Sequence, residues 1–583
     1  MDYISPYLIW ATFALLRFAR LPVSFRNFSI PVSYFHITLS GRMKTTTEFS
    51  SLVQQNQFLI LIRTKIFPLI KQMKRITKAQ LLLSLILLIS LIIRIWGLTY
   101  DLPYIYHPDE PWPIRIGHQM LVTGDFNPHF FDWPAFIIYL NMAIQAIYNL
   151  ITKLLSLGNP SSITNPLIEL TMGVTYSSEP ILILLSRLVT VCFGVGTVAT
   201  TTLAGKEISR DLKVGLIAGI LMAISPTNVS LNRFITPDTY ATFFLSLVLL
   251  ASVYIFRQGR TRAYVIAGIS LGLAVSSKYN SALIVVVLLA GHFLRTGFRG
   301  YKDYRLYLAL FLAGMTFLVV NPYALLAFPE FYAGFHSVSA HYSTGHPGMD
   351  GNTLNWYLNY MWQTGGIIYI LATIEILRGI YSRSKELILL SIFPVVYFLF
   401  IVSYIVRNDR TFLPMTIFAF LLAASLLVNL AKKLNTLGTK AIQRGSSIAI
   451  ASILILCLIW PLSKTISDSI QLTQINSRAT ARIWITNNLP RGTHIAIESY
   501  SPFIDPDQYS VQGFGEIIEH EPNWYVQNGY KYVVFSQGIY GRFFREPKKY
   551  AIEISKYETF FGQFSLVKKF SDGNYEVRIY GVQ

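Results

Sequence analysis

The segment from Tyr106 to Glu110 holds the densest group of side chains that can do chemistry, with His107, Asp109 and Glu110 almost adjacent. It lies a few residues after the first clear apolar run of the chain. Neighbouring carboxylates can serve as a general base, as ligands of a divalent metal ion, or as both. The first turn of a helix also favours Asp and Glu, so a helix start is the alternative interpretation.

Two further carboxylates stand where apolar runs begin. Asp132 precedes one such run, and Asp238 follows Arg233 at the start of another. Helix capping is the alternative for Asp132, and a plain interfacial position is the alternative for Asp238. If these positions share a surface with Asp109, then Asp109, Glu110 and Asp132 form a catalytic group, and Asp109 with Asp132 is the pair predicted to hold a divalent metal ion.

Cations occur near the same ends of the apolar runs. Lys278, followed by Tyr279, lies in a turn, and Arg407 and Arg410 precede the run that starts at Thr411. Long basic side chains near helix ends often only extend to the membrane surface. A cation on the outer face can also bind a lipid phosphate, and a guanidinium such as that of Arg233 is suited to phosphate.

Three histidines, His336, His341 and His346, recur at a spacing of five. That spacing does not place them on one helical face, and it lacks the H-x-x-x-H arrangement of a zinc-binding helix. A substrate-facing loop that includes His341 is therefore favoured over a zinc site.

Composition shows what must position these residues. Of the 583 residues, 52% are hydrophobic and only 14% are charged, which is too apolar for a soluble enzyme of this size. The net charge of +19 comes from Lys and Arg in short loops between apolar runs, as expected for cytoplasmic loops of a membrane protein rather than for a nucleic-acid binder. Cys192 and Cys457 both lie inside apolar runs, so a disulfide framework is not expected.

Charge distribution predicts the topology. Residues 1–78 are a poorly patterned, basic and cytoplasmic segment, and residues 79–461 form the membrane domain. Within it, residues 99–180 form one large external loop, because residues 134–157, although long enough to span, have weakly basic flanks on both sides and are expected to lie in the outer leaflet. This gives a polytopic α-helical protein with about eleven spans.

The C-terminal residues 462–583 return to globular patterning. Strand-like pieces at His494–Glu498, Tyr530–Phe535 and Tyr575–Tyr580 alternate with turns and with a helical stretch at Ser477–Asn488. The topology places this α/β domain outside the cytoplasm.

The motifs together resemble bacterial membrane glycosyltransferases. The similar family is that of the protein O-mannosyltransferases and the lipid A aminoarabinose transferases, glycosyltransferase family 39, with the C-type glycosyltransferase fold. The resemblance covers about residues 79–424 and is carried, in chain order, by His107-Pro-Asp-Glu110, Phe131-Asp-Trp-Pro134, the stretch from Arg233 to Thr236-Pro-Asp238, Gly272 to Asn280, and Asn321-Pro-Tyr323.

The resemblance implies an inverting transfer from a polyprenyl-phosphate sugar at the outer face of a bacterial plasma (inner) membrane. Asp109 would be the general base with Glu110 beside it, Asp132 and Asp238 further acidic positions, and Lys278 a cation near the donor phosphate. The acceptor is expected to be a lipid, a glycan or a protein. The chain differs from the protein O-mannosyltransferases in lacking their sugar-binding repeat domain.

Other functions fit a membrane protein of this kind. A transporter or lipid flippase is the main alternative, and a non-catalytic assembly or sugar-binding protein is another. Transporters commonly carry charges at the bilayer midplane and two repeated halves. Here most charges stand at the ends of apolar runs and no repeat is visible, which favours the transferase. The chain also lacks a G-x-x-x-x-G-K-[ST] phosphate loop, consistent with a lipid donor rather than a nucleotide donor.

Overall fold

The computed structural model describes residues 77–154, 165–436, 440–573 and 575–582. The contacts discussed below all lie within one compact unit, Ile86–Gln583. The prediction of a basic, poorly patterned segment at residues 1–78 falls almost entirely outside the described residues.

Helices make up most of the membrane domain. In chain order they are α1 (Lys78–Ile95), α2 (Pro111–Thr123), α3 (Phe136–Leu154), α4 (Pro180–Ser209), α5 (Leu212–Ile224), α6 (Pro226–Leu231), α7 (Pro237–Gln258), α8 (Thr261–Ser277), α9 (Val285–Thr296), α10 (Tyr304–Val320), α11 (Tyr323–Leu326), α12 (Phe328–Thr344), α13 (Thr353–Gly365), α14 (Ile367–Ser382), α15 (Lys385–Val402), α16 (Asp409–Phe412), α17 (Met415–Asn435) and α18 (Lys440–Leu472). Short 3₁₀ turns at Tyr279–Ile284 and Phe298–Lys302 follow α8 and α9.

Eight helical segments of the described residues are long and apolar enough to cross a membrane, or nine if α13 and α14, bent by 114° at their junction, are one span. Three further apolar helices, α5, α8 and α10, are shorter. Helix α3 is one of these eight segments, so its length and composition also allow it to cross the membrane. Its location in the outer leaflet therefore stays a prediction, and so does the count of eleven spans.

Close helix packing fixes the position of α8. Gly268 and Gly272 face α10, where an added methyl group would come within 2.3 Å of the Ala309 carbonyl oxygen and 2.5 Å of the Ala313 carbonyl oxygen. Only a residue without a side chain allows this approach, which is a common device of helix pairs in membranes. The pair α8 and α10 therefore forms a rigid support at the end of which Lys278 stands.

The C-terminal domain is a mixed sheet with helices. After helix α19 (Ser477–Asn488) the strands are, in chain order, β4 (His494–Glu498), β5 (Ser510–Phe514), β6 (Tyr532–Ser536), β7 (Ser565–Ser571) and β8 (Glu576–Gly581), with helices α20 (Pro522–Gln527), α21 (Tyr540–Phe544) and α22 (Ala551–Gln563) between them. The sheet order is β5-β4-β6-β8-β7. Strand β4 pairs in parallel with β5 and β6, whereas β8 runs antiparallel to both β6 and β7.

A small antiparallel sheet in the first loop, of order β1-β3-β2, packs against this domain. Its strands are β1 (Tyr104–Ile105), β2 (Leu167–Thr171) and β3 (Val174–Ser177). Val174 shares a buried cluster with Ile485 of α19 and Ile497 of β4, and the Tyr500 amide donates to the Met172 carbonyl oxygen at 2.8 Å. The first loop and the C-terminal domain therefore pack as one layer.

The predicted fold class is confirmed: a mostly helical membrane protein carries a C-terminal domain with both strands and helices. Helix α19 begins and ends where the sequence predicts it, and so does strand β4. Strands β5 and β7 were not predicted. The long helix α18 continues to Leu472, past residue 462 where the sequence predicts the start of the C-terminal domain.

Candidate active site

Two ion pairs occupy neighbouring helix ends. Asp238 stands in the first turn of α7, which Pro237 opens, and Lys278 follows directly after α8. The Lys278 Nζ lies 2.5 Å from Asp238 Oδ1, and these side chains are only 19% and 3% exposed. Asp238, predicted as a further acidic position, and Lys278, predicted as a cation near the donor phosphate, are therefore direct partners.

Arg410 forms the second ion pair, with Asp109. It belongs to the short helix α16, which begins after Asn408, whose side chain accepts from the Thr411 amide at 2.8 Å. Burial lowers the pKa of Arg410, but the charges of Asp109 and Asp238 outweigh that effect and raise it above its usual value. Because both carboxylates act on one guanidinium, the two ion pairs form a single cluster of two acids and two cations, here called the charge cluster (Asp109, Asp238, Lys278, Arg410).

Glu110 points away from the charge cluster and is completely buried. Its oxygens accept from Arg187 Nε at 3.0 Å and Nη2 at 2.8 Å, from the Tyr100 hydroxyl at 2.9 Å and from the Ile235 amide at 3.1 Å. Burial raises the pKa of Glu110, but the Arg187 charge and these hydrogen bonds lower it further than burial raises it. A carboxylate held this way stays ionised and has no exposed oxygen to offer a substrate.

His107 supports the backbone of Asp109. Its Nδ1 accepts from the Asp109 amide at 3.2 Å, and its ring lies 4.5 Å from that of Phe234. Burial lowers the pKa of His107, which favours the neutral imidazole that this hydrogen bond requires.

Asp132, Tyr279 and His341 form a second group beside the charge cluster. The Tyr279 hydroxyl donates to the Phe131 carbonyl oxygen at 3.0 Å, which places Asp132 near the turn after Lys278. Partial loss of water raises the pKa of Asp132, and the nearby His341 partly offsets this effect. Partial loss of water also lowers the pKa of His341. Within the described residues no ion pair or hydrogen bond joins Asp132 to Asp109.

Two arginines predicted to bind substrate donate hydrogen bonds to groups outside the charge cluster. Arg407 donates to the carbonyl oxygens of Asp350 and Gly351, the latter at 3.1 Å. Arg233, 2% exposed, donates to the Ile93 carbonyl oxygen at 2.6 Å and to Ser469 Oγ at 2.7 Å. Arg233 and Arg407 are thus close in sequence to members of the charge cluster. Among the described residues, neither guanidinium forms a hydrogen bond or an ion pair with the cluster.

The arrangement does not fit a divalent metal ion at Asp109 and Asp132. Among the described residues there is no group of three or more His, Cys, Asp or Glu that could hold one. The carboxylate of Asp109 faces the guanidinium of Arg410, a neighbour that repels a cation.

Three residues of this region, Arg187, Asp409 and Tyr342, were not predicted from the sequence as site residues. Arg187 lies inside an apolar run, and a charge in such a place is a recognisable signal. Asp409 precedes Arg410, and burial raises its pKa, as does the nearby charge of Asp238. Tyr342 lies close enough to Arg410 to affect its pKa, and nothing in its sequence context marks it.

Part of the chain is similar to a known protein family. A family model described as dolichyl-phosphate-mannose-protein mannosyltransferase matches residues 133–339. That range contains Asp238 and Lys278 and ends before Arg410. No curated protein sequence matches the chain.

Solved structures give the fold. The archaeal oligosaccharyltransferase AglB from Archaeoglobus fulgidus, in complex with an inhibitory peptide and a dolichol-phosphate, aligns over 87% of this chain and 74% of its own, with 14% identity and a TM-score of 0.52. ArnT from Cupriavidus metallidurans bound to undecaprenyl phosphate aligns over 85% and 97%, with 15% identity and a TM-score of 0.49. The Pmt1-Pmt2 protein O-mannosyltransferase complex of S. cerevisiae, bound to the sugar donor, aligns over 45% and 34%, with 18% identity and a TM-score of 0.31.

The predicted resemblance is confirmed. The chain is a multi-pass membrane protein with the C-type glycosyltransferase fold, and its residues 133–339 are similar to transferases named for a lipid-phosphate sugar donor.

Proposed function

We propose that the protein transfers a sugar from a polyprenyl-phosphate carrier to an extracytoplasmic acceptor, with inversion at the anomeric carbon. The observation that carries the proposal is the charge cluster, which brings two carboxylates and two cations to the ends of α7, α8 and α16. The family match and the dolichol-phosphate named for AglB support a lipid-phosphate donor.

The cations bind the donor. A polyprenyl-phosphate sugar carries a negative phosphate, which Lys278 and Arg410 are suited to bind and to stabilise as it departs. Arg410 pairs with Asp109 in the structure, so a phosphate that binds Arg410 competes with that carboxylate. Donor binding thereby releases Asp109 for proton transfer.

Asp109 acts as the general base. The acceptor oxygen attacks the anomeric carbon from the face opposite the phosphate, and its proton passes to Asp109. The bond between that carbon and the phosphate oxygen breaks, and its electron pair leaves with the polyprenyl phosphate. One displacement of this kind inverts the configuration. Asp238 keeps Lys278 in place, and Asp132, Tyr279 and His341 line the approach of the acceptor.

The orientation follows from the charge of the loops. We place the protein in a bacterial plasma membrane with its N-terminus in the cytoplasm and residues 462–583 outside. A reporter fused after Gln583 should therefore be active only on the extracytoplasmic side, and a tag between α17 and α18 should be accessible only from the cytoplasm. The reverse pattern would place the charge cluster on the wrong face for this reaction.

Turnover by the purified protein tests the function. Polyprenyl phosphates carrying labelled hexoses or pentoses are offered together with lipid, glycan and protein fractions of the cell envelope, and release of polyprenyl phosphate and the anomeric configuration of the product are measured. Inverted product formed from one lipid-linked donor is expected. If the lipid-linked sugar instead moves across the membrane of reconstituted vesicles and the bond between sugar and phosphate stays intact, the protein is a flippase.

A further inference from the structure

Arg187 is the centre of a buried network that includes Glu110. It lies in α4, is completely buried, and uses all three guanidinium nitrogens. Nε and Nη2 bind the Glu110 carboxylate, and Nη1 donates to the carbonyl oxygens of Leu98 at 3.0 Å and Tyr100 at 3.1 Å. Its guanidinium carbon also lies 3.8 Å from the ring centre of Tyr100. A planar group with five donors is required to make these contacts at once.

The network connects the two acids of the charge cluster. Glu110 directly follows Asp109 in the chain, and its Oε1 accepts from the Ile235 amide at 3.1 Å. Ile235 lies just before α7, whose first turn contains Asp238. One carboxylate, that of Glu110, is thus bonded to the backbone near each of the two acids of the charge cluster.

We propose that Arg187 and Glu110 are positioning residues that set the separation of Asp109 and Asp238, and that neither touches substrate. The inference rests on the proposed transferase function for its kinetic consequence. It does not depend on that function for its structural one.

The physical basis is the cost of an unpaired buried charge. Removing one member of a buried ion pair leaves the other without a counter-charge and strongly destabilises the fold, whereas replacing both members with neutral groups is often tolerated. A positioning role and a purely stabilising role therefore differ in the double variant. The double variant should regain stability under both roles. The relative position of Asp109 and Asp238 should return to that of the wild type only if the pair Arg187 and Glu110 has a purely stabilising role.

The experiment compares Glu110→Gln, Arg187→Met and the double variant in the full-length protein. The midpoint of thermal unfolding should fall by several degrees in each single variant and recover in the double variant. The double variant should still show kcat reduced at least about tenfold, since misplacing reacting groups is costly, with the donor KM little changed because Lys278 and Arg410 remain. Recovery of both the midpoint and kcat would overturn the proposal.

Glu375→Gln is the matched control. Glu375 is also completely buried, with Arg378 Nη2 at 2.5 Å and Ser425 Oγ at 2.7 Å, and nothing in its contacts leads to the charge cluster. It should leave kcat unchanged. The unfolding midpoint should fall less than in Glu110→Gln, because Arg378 is 42% exposed and water can solvate its charge. A control variant that lost kcat to the same extent would reduce the effect at Glu110 to general destabilisation and contradict the proposal.

Amide hydrogen exchange gives a second readout that needs no turnover. In the double variant, peptides covering residues 107–110 and 232–238 should exchange faster than in the wild type, and those of the C-terminal sheet should not. Unchanged protection of both segments would refute the positioning role whether or not the protein transfers sugar. Absence of transfer by the wild type together with faster exchange in the double variant would reject the proposed function and retain the positioning role.

Discussion

Glu110 of the first loop and Glu498 of the C-terminal domain are both completely buried, but their environments differ in one respect. Glu110 faces the guanidinium of Arg187, whereas Glu498 accepts from the Ile517 and Ser536 amides and from the Tyr557 hydroxyl. Burial and the Arg187 charge together leave the pKa of Glu110 below its usual value. Burial raises the pKa of Glu498 to about 8 despite its three hydrogen bonds.

The difference shows what each region does with a buried acid. Hydrogen bonds from neutral donors join the ends of β4 and β6 through Glu498 but do not compensate for the loss of water around a charge. Near the charge cluster the two most deeply buried acids, Glu110 and Asp238, each have a cation as a direct partner. The pKa of Glu110 lies below its usual value, because the Arg187 charge and the hydrogen bonds together outweigh the effect of burial. A site that binds a phosphate and accepts a proton needs carboxylates paired with cations. A carboxylate that only links two strands does not need a cation.

The largest effect is expected where a cation is removed from a buried acid. Lys278→Met leaves Asp238, 3% exposed, as a buried carboxylate without its cation, so the free energy of unfolding should fall by about 3–5 kcal/mol. Donor binding should weaken as well, because a phosphate contact is lost. Unfolding in detergent and binding of a fluorescent polyprenyl phosphate measure the two effects.

The double variant Lys278→Met with Asp238→Asn separates these two effects. Stability should return because no charge is left unpaired, and donor binding should stay weak. Restored donor binding in that variant would remove Lys278 from the phosphate site.

The next effect, expected from Glu498→Gln, is seen as a change in pH dependence and not as a loss of stability at one pH. The pKa of Glu498 is raised from its usual 4.5 to about 8 by folding, so the folded state binds the proton more tightly. Its contribution to stability is complete below about pH 4.5 and is lost as the pH rises through 8. Between these values the free energy of unfolding should fall by up to about 1.4 kcal/mol per pH unit from this group.

Glutamine does not titrate, so Glu498→Gln should flatten the pH profile of unfolding between pH 5 and pH 8. Thermal unfolding at a series of pH values is the measurement, with Glu576→Gln as the control, because Lys569, Tyr540 and Arg578 hold the pKa of Glu576 at about 2 against the effect of burial. An equally steep profile in Glu498→Gln would show that Glu498 is not the buried acid responsible.

The smallest effect is expected at an ion pair exposed to solvent. Arg115 pairs with Glu169, and these side chains are 33% and 24% exposed. Because water screens such a pair, Arg115→Gln should change the free energy of unfolding by no more than about 1 kcal/mol and leave transfer unaffected. A loss comparable to that of Lys278→Met would mean that exposure does not govern the cost of removing a cation in this protein.

The sequence predicted the composition of the charge cluster but not its pairings. Asp109 was recognised because it stands in the densest group of side chains that can do chemistry. Asp238, Lys278 and Arg410 were recognised because they lie near the ends of apolar runs, where they could share a surface with it. Their pairing depends on how α7, α8 and α16 pack, and residues so far apart in the chain show no spacing that reveals it. The same limit explains Glu110, whose adjacency to Asp109 predicts a shared role although its side chain points to Arg187.

The sequence pattern predicted the bounds of an element correctly where residues within that element determine its structure. Helix α19 and strand β4 have clear periodicity and turn residues at both ends, and their bounds agree with the structure. Strand β7 is nearly all exposed at the sheet edge, so it lacks the alternation that marks a half-buried strand. The long helix α18 was predicted to end near residue 462 because hydropathy falls there, but it continues to Leu472 as a more polar helix.

Asp109→Asn tests the central claim most directly. Asparagine keeps the size of the side chain and an oxygen that can accept from Arg410, but an amide cannot take the acceptor proton. We expect kcat to fall by about 10²- to 10⁴-fold. Binding of the polyprenyl-phosphate donor, measured in the same preparation, should be kept or become tighter, because the uncharged amide competes less with the phosphate for Arg410. Near-normal turnover by Asp109→Asn would contradict the account and remove Asp109 from catalysis.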